Sequence, residues 1–167
     1  MLFLFDDWSM SVSILLIESD SDHAQALVEV LADPWSGWRV DVSTSLVQAQ
    51  EYLARRRPDV VLAAQRTVGE AAFELLQQLD GIPALIMVRL GAETHAAQAM
   101  RHGFEDFVVQ DAALDYLRTL PTQIEAVLER TASERARGSA DAKRARQNRV
   151  LQAISRSQAQ FNTTTTP

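Results

Sequence analysis

At 167 residues and 47% hydrophobic content, the chain is long enough for one buried core plus an appendage. It has no cysteine, which excludes disulfides, thiol nucleophiles and cysteine-ligated zinc, and it fits a reducing cytoplasm, the expected location. The net charge of −6 is unevenly spread: eight basic residues against three acidic ones between Glu129 and Phe161 give that arm +5, leaving −11 for everything before it.

The chain opens with Met1-Leu2-Phe3-Leu4-Phe5, cut off by Asp6 and Asp7. This run lacks a basic flank and is too short to cross a bilayer or serve as a signal peptide, so no membrane association is expected and residues 1–11 read as an N-terminal extension. Val12 to Ile17 is a short apolar block that reads as a first buried strand and delivers the acidic loop Glu18-Ser19-Asp20. Ala24, Leu27, Val28, Val30 and Leu31 give the next segment a helical apolar face, which Asp20 or Ser21 can cap. Asp33-Pro34-Trp35-Ser36-Gly37 is turn chemistry. Trp38 to Val42 alternates and predicts a more exposed second strand. Ser43 or Thr44 can cap the helix that follows, which carries Leu46, Val47, Ala49, Tyr52 and Leu53 and ends at Arg55-Arg56-Arg57.

The stretch from Pro58 through Asp59-Val60-Val61-Leu62 to Ala63, Ala64 and Gln65 predicts a third, central strand. Ligands in open α/β sheets bind at the carboxyl ends of the strands, yet the residues emerging here include no nucleophile and no metal ligand. The spacing then predicts a helix over Gly69–Asp80, a strand over Ile82–Val88 with Pro83 near its start, a weak helix over Ala92–Arg101 and a strand over Phe104–Val109. Leu114 and Leu117 mark a short helical turn, and Pro121 places the start of the last long helix near Thr119 or Leu120. Five strands alternating with five helices predict a parallel sheet covered on both faces.

The order and spacing from about Val12 to Arg130 resemble the CheY-like receiver domain of response regulators. The resemblance is carried by Ile14-Leu15-Leu16-Ile17-Glu18-Ser19-Asp20, Pro58-Asp59-Val60-Val61-Leu62, Phe73-Glu74-Leu75-Leu76, Ile82-Pro83-Ala84-Leu85-Ile86 and Ala99 to Val109. It implies a flavodoxin-like α/β fold, a five-stranded parallel sheet of order 2-1-3-4-5 with helices on both faces, here with a C-terminal helical extension. A receiver accepts a phosphoryl group on an aspartate at the end of its third strand, assisted by a divalent cation and by donors around the phosphoryl oxygens. The resemblance puts Ala64 at the acceptor position, Glu18 and Ser19 at the acidic pair with Asp20 beside them, Val88 at the switch hydroxyl, Gln110 at the lysine and Asp111 at the following proline. Nucleophile, switch hydroxyl, cationic partner and half of the metal site are thus missing together, which marks a pseudo-receiver with no catalytic residue, no cofactor and no metal. Glu18 and Asp20 remain as a vestigial acidic pocket. Asp59 lies at the wrong end of the strand to replace the acceptor. His23, His95 and His102 read as surface histidines.

In receivers the face made by the fourth helix, fifth strand and fifth helix carries partner contacts. Here the resemblance places Ala97, Met100, Arg101, Glu105, Phe107, Leu120, Ile124 and Leu128 there. Beyond it, Ile124, Leu128 and Thr131, then Gln147, Val150, Ile154, Ser157 and Phe161, step by threes and fours like a thin heptad seam, interrupted at Gly138-Ser139-Ala140. Val150 and Ile154 therefore join the expected dimer interface, with a mobile basic linker as the competing reading of residues 132–148. The expected organisation is a receiver-like unit over 12–130, a helical linker or coiled coil over 131–161 and a disordered tail over 162–167. The wording of the C-terminal segment resembles connectors that lead into PAS, GGDEF, EAL or histidine-kinase modules. The expectation is a homodimeric, non-enzymatic signalling module of a bacterial protein, in a setting related to cyclic-di-GMP. The alternatives are a nucleic-acid binder that uses the basic arm, weakened by arginines without interleaved aromatics, and a receiver phosphorylated at an unusual acceptor.

Overall fold

The computed structural model describes residues 11–162, with side chains described for 11–138 and 143–156. The expected extension over residues 1–11 and the tail over 162–167 lie outside the described residues, apart from Ser11 and the backbone of Asn162.

Five short strands, β1 (Ser13–Ile17), β2 (Arg39–Ser43), β3 (Val60–Ala64), β4 (Ala84–Arg89) and β5 (Asp106–Gln110), pair in parallel in the order β2-β1-β3-β4-β5. The three inner strands are nearly continuous apolar runs because a parallel sheet covered on both faces has no solvent side. Successive side chains still alternate between faces, and this alternation divides the core in two. Ile14 and Leu16, Val60 with Leu62 and Ala64, and Leu85 with Met87 meet α1 (Ser21–Leu31) and α6 (Tyr116–Arg137) on one face. Leu15 and Ile17, Val61 and Ala63, and Ile86 with Val88 meet α2 (Leu46–Arg55), α4 (Ala72–Leu79) and α5 (Glu93–His102) on the other. A final helix, α7 (Ser139–Asn162), packs back on α5 and α6. Among the described residues no helix is long and apolar enough to cross a membrane.

Several details depart from what local sequence predicts. The helix expected over Gly69–Asp80 is preceded by a further one: α3 (Gln65–Val68) starts directly at the end of β3 and leads through a 3₁₀ turn (Gly69–Ala71) into α4. Gly69 makes this possible by taking φ 55°, ψ −139°, a conformation that costs a residue with a Cβ heavily. α2 is capped by Ser45, not Ser43 or Thr44; its Oγ accepts from the Gln48 N–H at 3.2 Å, while the Gln48 side chain reaches back to the Thr44 N–H at 2.9 Å. Pro121 lies inside α6, which begins at Tyr116, earlier than expected. The missing N–H falls close to the helix start, and the packing of Leu120 and Ile124, both wholly buried, outweighs it. The boundary expected at residue 131 lies within α6, and the break comes at Gly138, as the Gly138-Ser139-Ala140 interruption suggested. The segment 132–148 is helical on both sides of that break, where a mobile linker was the competing expectation.

Ser45→Ala should lower stability by about 1 kcal/mol through loss of this cap, and Thr44→Ala by less. Urea unfolding of the two variants, with an unchanged m-value, measures both.

Candidate functional site

Glu18 follows directly on the carboxyl end of β1, between the ends of β2 and β3. Its backbone N–H extends the β1–β2 ladder by donating to the Ser43 carbonyl at 3.0 Å, and this directs its side chain into the fold, where it is 0% exposed. A fully buried carboxylate requires a cation and hydrogen-bond donors. Arg66, on α3, meets that requirement. Its Nε and Nη2 donate to Glu18 Oε1 at 3.2 and 3.0 Å, and the Asp20 N–H donates to the same oxygen at 2.9 Å. The guanidinium also lies 3.5 Å from Asp20 Oδ2 and touches His23 Nδ1. His23 is therefore half-buried against the arginine rather than the free surface histidine expected from sequence. The neighbouring Thr67 closes the same seam: its Oγ1 accepts from the Ser19 N–H and bonds the Ser19 hydroxyl, each at 3.0 Å. The acidic loop after β1 is thus joined to the segment after β3 by side chains of the chain itself.

Asp20 has a second task. Its Oδ1 caps α1, accepting from the N–H groups of Asp22 and His23 at 3.0 and 3.1 Å. The His23 amide holds the Asp20 carboxyl below its ordinary value; slight desolvation opposes this and Arg66 reinforces it.

The remaining positions named by the resemblance are apolar or engaged. Ala64 ends β3 opposite Met87, wholly buried, and its methyl offers no oxygen. Val88 is buried on the other face of the sheet. Gln110 is buried at the end of β5, where its Nε2 contacts the Met87 sulfur at 3.7 Å. Asp111 starts α6 by accepting from the N–H groups of Asp115 and Tyr116 at 3.3 and 3.2 Å. The Tyr116 hydroxyl is buried with no partner at hydrogen-bonding distance; burial pushes its pKa up, the nearby Gln110 side chain and Arg66 oppose the shift, and the Glu18 and Asp111 carboxylates add to it. At the opposite end of the strands, Asp59 is tied to Ser13, whose N–H and Oγ both donate to Asp59 Oδ2, at 2.7 and 2.9 Å. A groove of about 180 Å³ beside Pro58, Asp59, Pro83, Thr131 and Arg135 lies at that same far end, away from Ala64.

This geometry does not suit the divalent cation that a receiver holds. Magnesium requires about six oxygen ligands in near-octahedral array. Here Glu18 Oε1 already accepts three hydrogen bonds, Asp20 is used as a cap, and a guanidinium lies against both carboxylates. One buried orphan oxygen, Glu18 Oε2, is left over. Among the described residues no group of three or more metal-ligating side chains comes together.

Sequence reasoning named Glu18 and Asp20 but missed Arg66 and Thr67. The signal available was the question of what neutralises a lone glutamate at a strand end, with a basic residue two positions after the facing strand.

On the expected interface, Ala97, Phe107 and Leu128 are half-buried and Arg101 is exposed. Met100, Leu120 and Ile124 are buried within the fold and present no free surface. Glu105 is buried beneath α7, and Val150 and Ile154 on α7 are half-buried. The side chains of Ser157 and Phe161, at the end of the expected seam, lie outside those described.

The chain matches no protein-family model. Over 122 residues it is 27% identical to the methanogenesis regulatory protein FilR1 of Methanothrix harundinacea, covering 69% of this chain and 27% of that protein. Among solved structures it is similar to the receiver domain of the Francisella response regulator 1452, with a TM-score of 0.62 at 15% identity over 72% of this chain and 99% of that one. It is also similar to NtrX from Brucella abortus, with a TM-score of 0.66 at 21% identity over 76% of this chain and 29% of that one.

Arg66→Ala should destabilise the protein by about 3 kcal/mol, because it strands a buried carboxylate. Replacing both partners, Glu18→Gln with Arg66→Met, should recover most of that loss in urea unfolding.

With its sheet order, its covering helices and these structural neighbours, the chain carries the CheY-like fold of response-regulator receiver domains.

Proposed function

We propose that this chain is a receiver-fold signalling module that accepts no phosphoryl group and acts by contact with other proteins. Its partners would be a second copy of itself and an output unit of a longer signalling protein. The observation that carries the reading is the Arg66–Glu18 pair beside the methyl of Ala64: the acidic pocket is neutralised from within, and the strand end beside it has nothing to phosphorylate. Acyl-phosphate formation requires a carboxylate nucleophile, and its charge requires a cation bridging that carboxylate and the incoming phosphoryl oxygens. With the nucleophile replaced by a methyl and the cation's place occupied by an arginine, the surface is left to carry the signal. The chain spans little more than a quarter of the length of FilR1 and of NtrX, in keeping with a part that works within a larger protein. The expected cyclic-di-GMP setting remains part of this proposal and rests on the resemblance of the C-terminal segment to such connectors.

The nucleic-acid alternative is disfavoured by where the basic arm sits. Two of its arginines, Arg146 and Arg149, are bonded to Glu105 and so are less available to phosphate.

Incubation of the full chain with acetyl phosphate and Mg²⁺, followed by intact-mass measurement, should show no added phosphoryl group. An adduct mapped to any carboxylate would overturn the proposal.

A further inference from the structure

We infer that α7 is a latch: its arginines seat in an acidic notch formed by Glu105 and Glu134, and that notch is a receptor for an arginine-bearing helix which the chain fills with its own C-terminal segment. This does not depend on the reading of the phosphoryl site, since α7 would seat in the same way whatever residue stood at position 64.

The notch is built by the fold. Glu105 is pinned at the entrance to β5 by its N–H, which donates to the Ala84 carbonyl at 2.8 Å, and its side chain is 8% exposed. Both of its oxygens are served by α7, Oε1 by Arg146 Nη2 and Oε2 by Arg149 Nη2, each at 2.8 Å. Arg149, itself 10% exposed, also bonds Glu134 on α6. Among the described residues neither carboxylate has another cationic partner. Without α7, two like charges joined only through Arg149 would be left close together at the edge of the core, an arrangement that favours an incoming cation. Arginine suits it because the planar guanidinium can bond two carboxylates at once.

The seat selects more than charge. Arg146, Arg149 and Ala153 are spaced by three and four residues and so share one face of α7. Ala153 is buried there, a small residue that lets the helix approach closely, whereas Leu151 is 62% exposed and turned away. The fold-back depends on one residue. Gly138 ends α6 at φ 88°, ψ 167°, a backbone conformation open to glycine and strained for a residue with a Cβ. A Cβ there would meet no atom within 4 Å, so the demand is conformational and not steric. If residue 138 became helical, α6 and α7 would run on as one helix, and the face formed by α5, β5 and α6 would be uncovered.

The test uses a fluorescent peptide spanning residues 139–162 and the full chain. It should bind Arg146→Ala/Arg149→Ala protein, and separately Gly138→Ala protein, about tenfold or more tightly than wild type, because the internal competitor is disarmed. Adding Glu105→Gln to either background should remove the binding. Amide exchange in α7 should be faster in both variants than in wild type, which also covers a variant that binds peptide poorly for other reasons. Equal peptide affinity across wild type and variants, indifference to Glu105→Gln, or unchanged α7 exchange would each overturn the latch.

Discussion

The structure turns on a buried carboxylate at the end of the first strand. Glu18 is directed inward by the β1–β2 ladder and carries its charge into a region closed to water, so an ionised Glu18 is tenable only beside a fixed positive group. The chain supplies that group as a guanidinium from its own α3. The consequence reaches back into the fold. α3 has no side-chain cap at its start and is only four residues long, too short to persist by local propensity. Arg66 and Thr67 hold it against the β1 loop through Glu18 and Ser19.

The same solution recurs along the β5 edge. Glu105 is satisfied by Arg146 and Arg149, and Asp106 by Arg130 at 3.5 Å. An acidic body with a basic C-terminal arm is one chain whose two charge classes meet at defined carboxylates. The two pairings differ in consequence. Arg66 is partly buried against Glu18, Asp20 and His23, and its removal would strand a wholly buried carboxylate. α7 joins the body through Gly138 and meets it on the outer faces of α5 and α6, away from the sheet.

The fold was legible in the sequence because a parallel sheet buried on both faces has to be written as short, uninterrupted apolar runs, and Ile14 to Ile17, Val60 to Leu62 and Ala84 to Val88 are such runs. That Ala64 ends the central strand was legible for the same reason, since the apolar run fixes the strand's end. The partner of Glu18 was not. Arg66 is 48 residues away and sits in a polar stretch that reads locally as solvated. Only the packing of α3 against the β1 loop brings the two together. Pro121 was misread because its propensity penalty is local, whereas the burial of Leu120 and Ile124 that overrides it is tertiary. The seat of α7 on Glu105 was not legible, because its alanine and arginine content says nothing of a glutamate 44 residues upstream of Arg149.

The central claim is that the pocket's positive charge is resident in the chain. Backbone amide resonances of Ser19, Asp20, Ala64 and Gln65, followed by NMR as Mg²⁺ is raised into the millimolar range, test it most directly. The account predicts no saturable shift at these four amides. A saturable shift centred on them would mean that a divalent ion still enters beside Glu18, and would contradict the account.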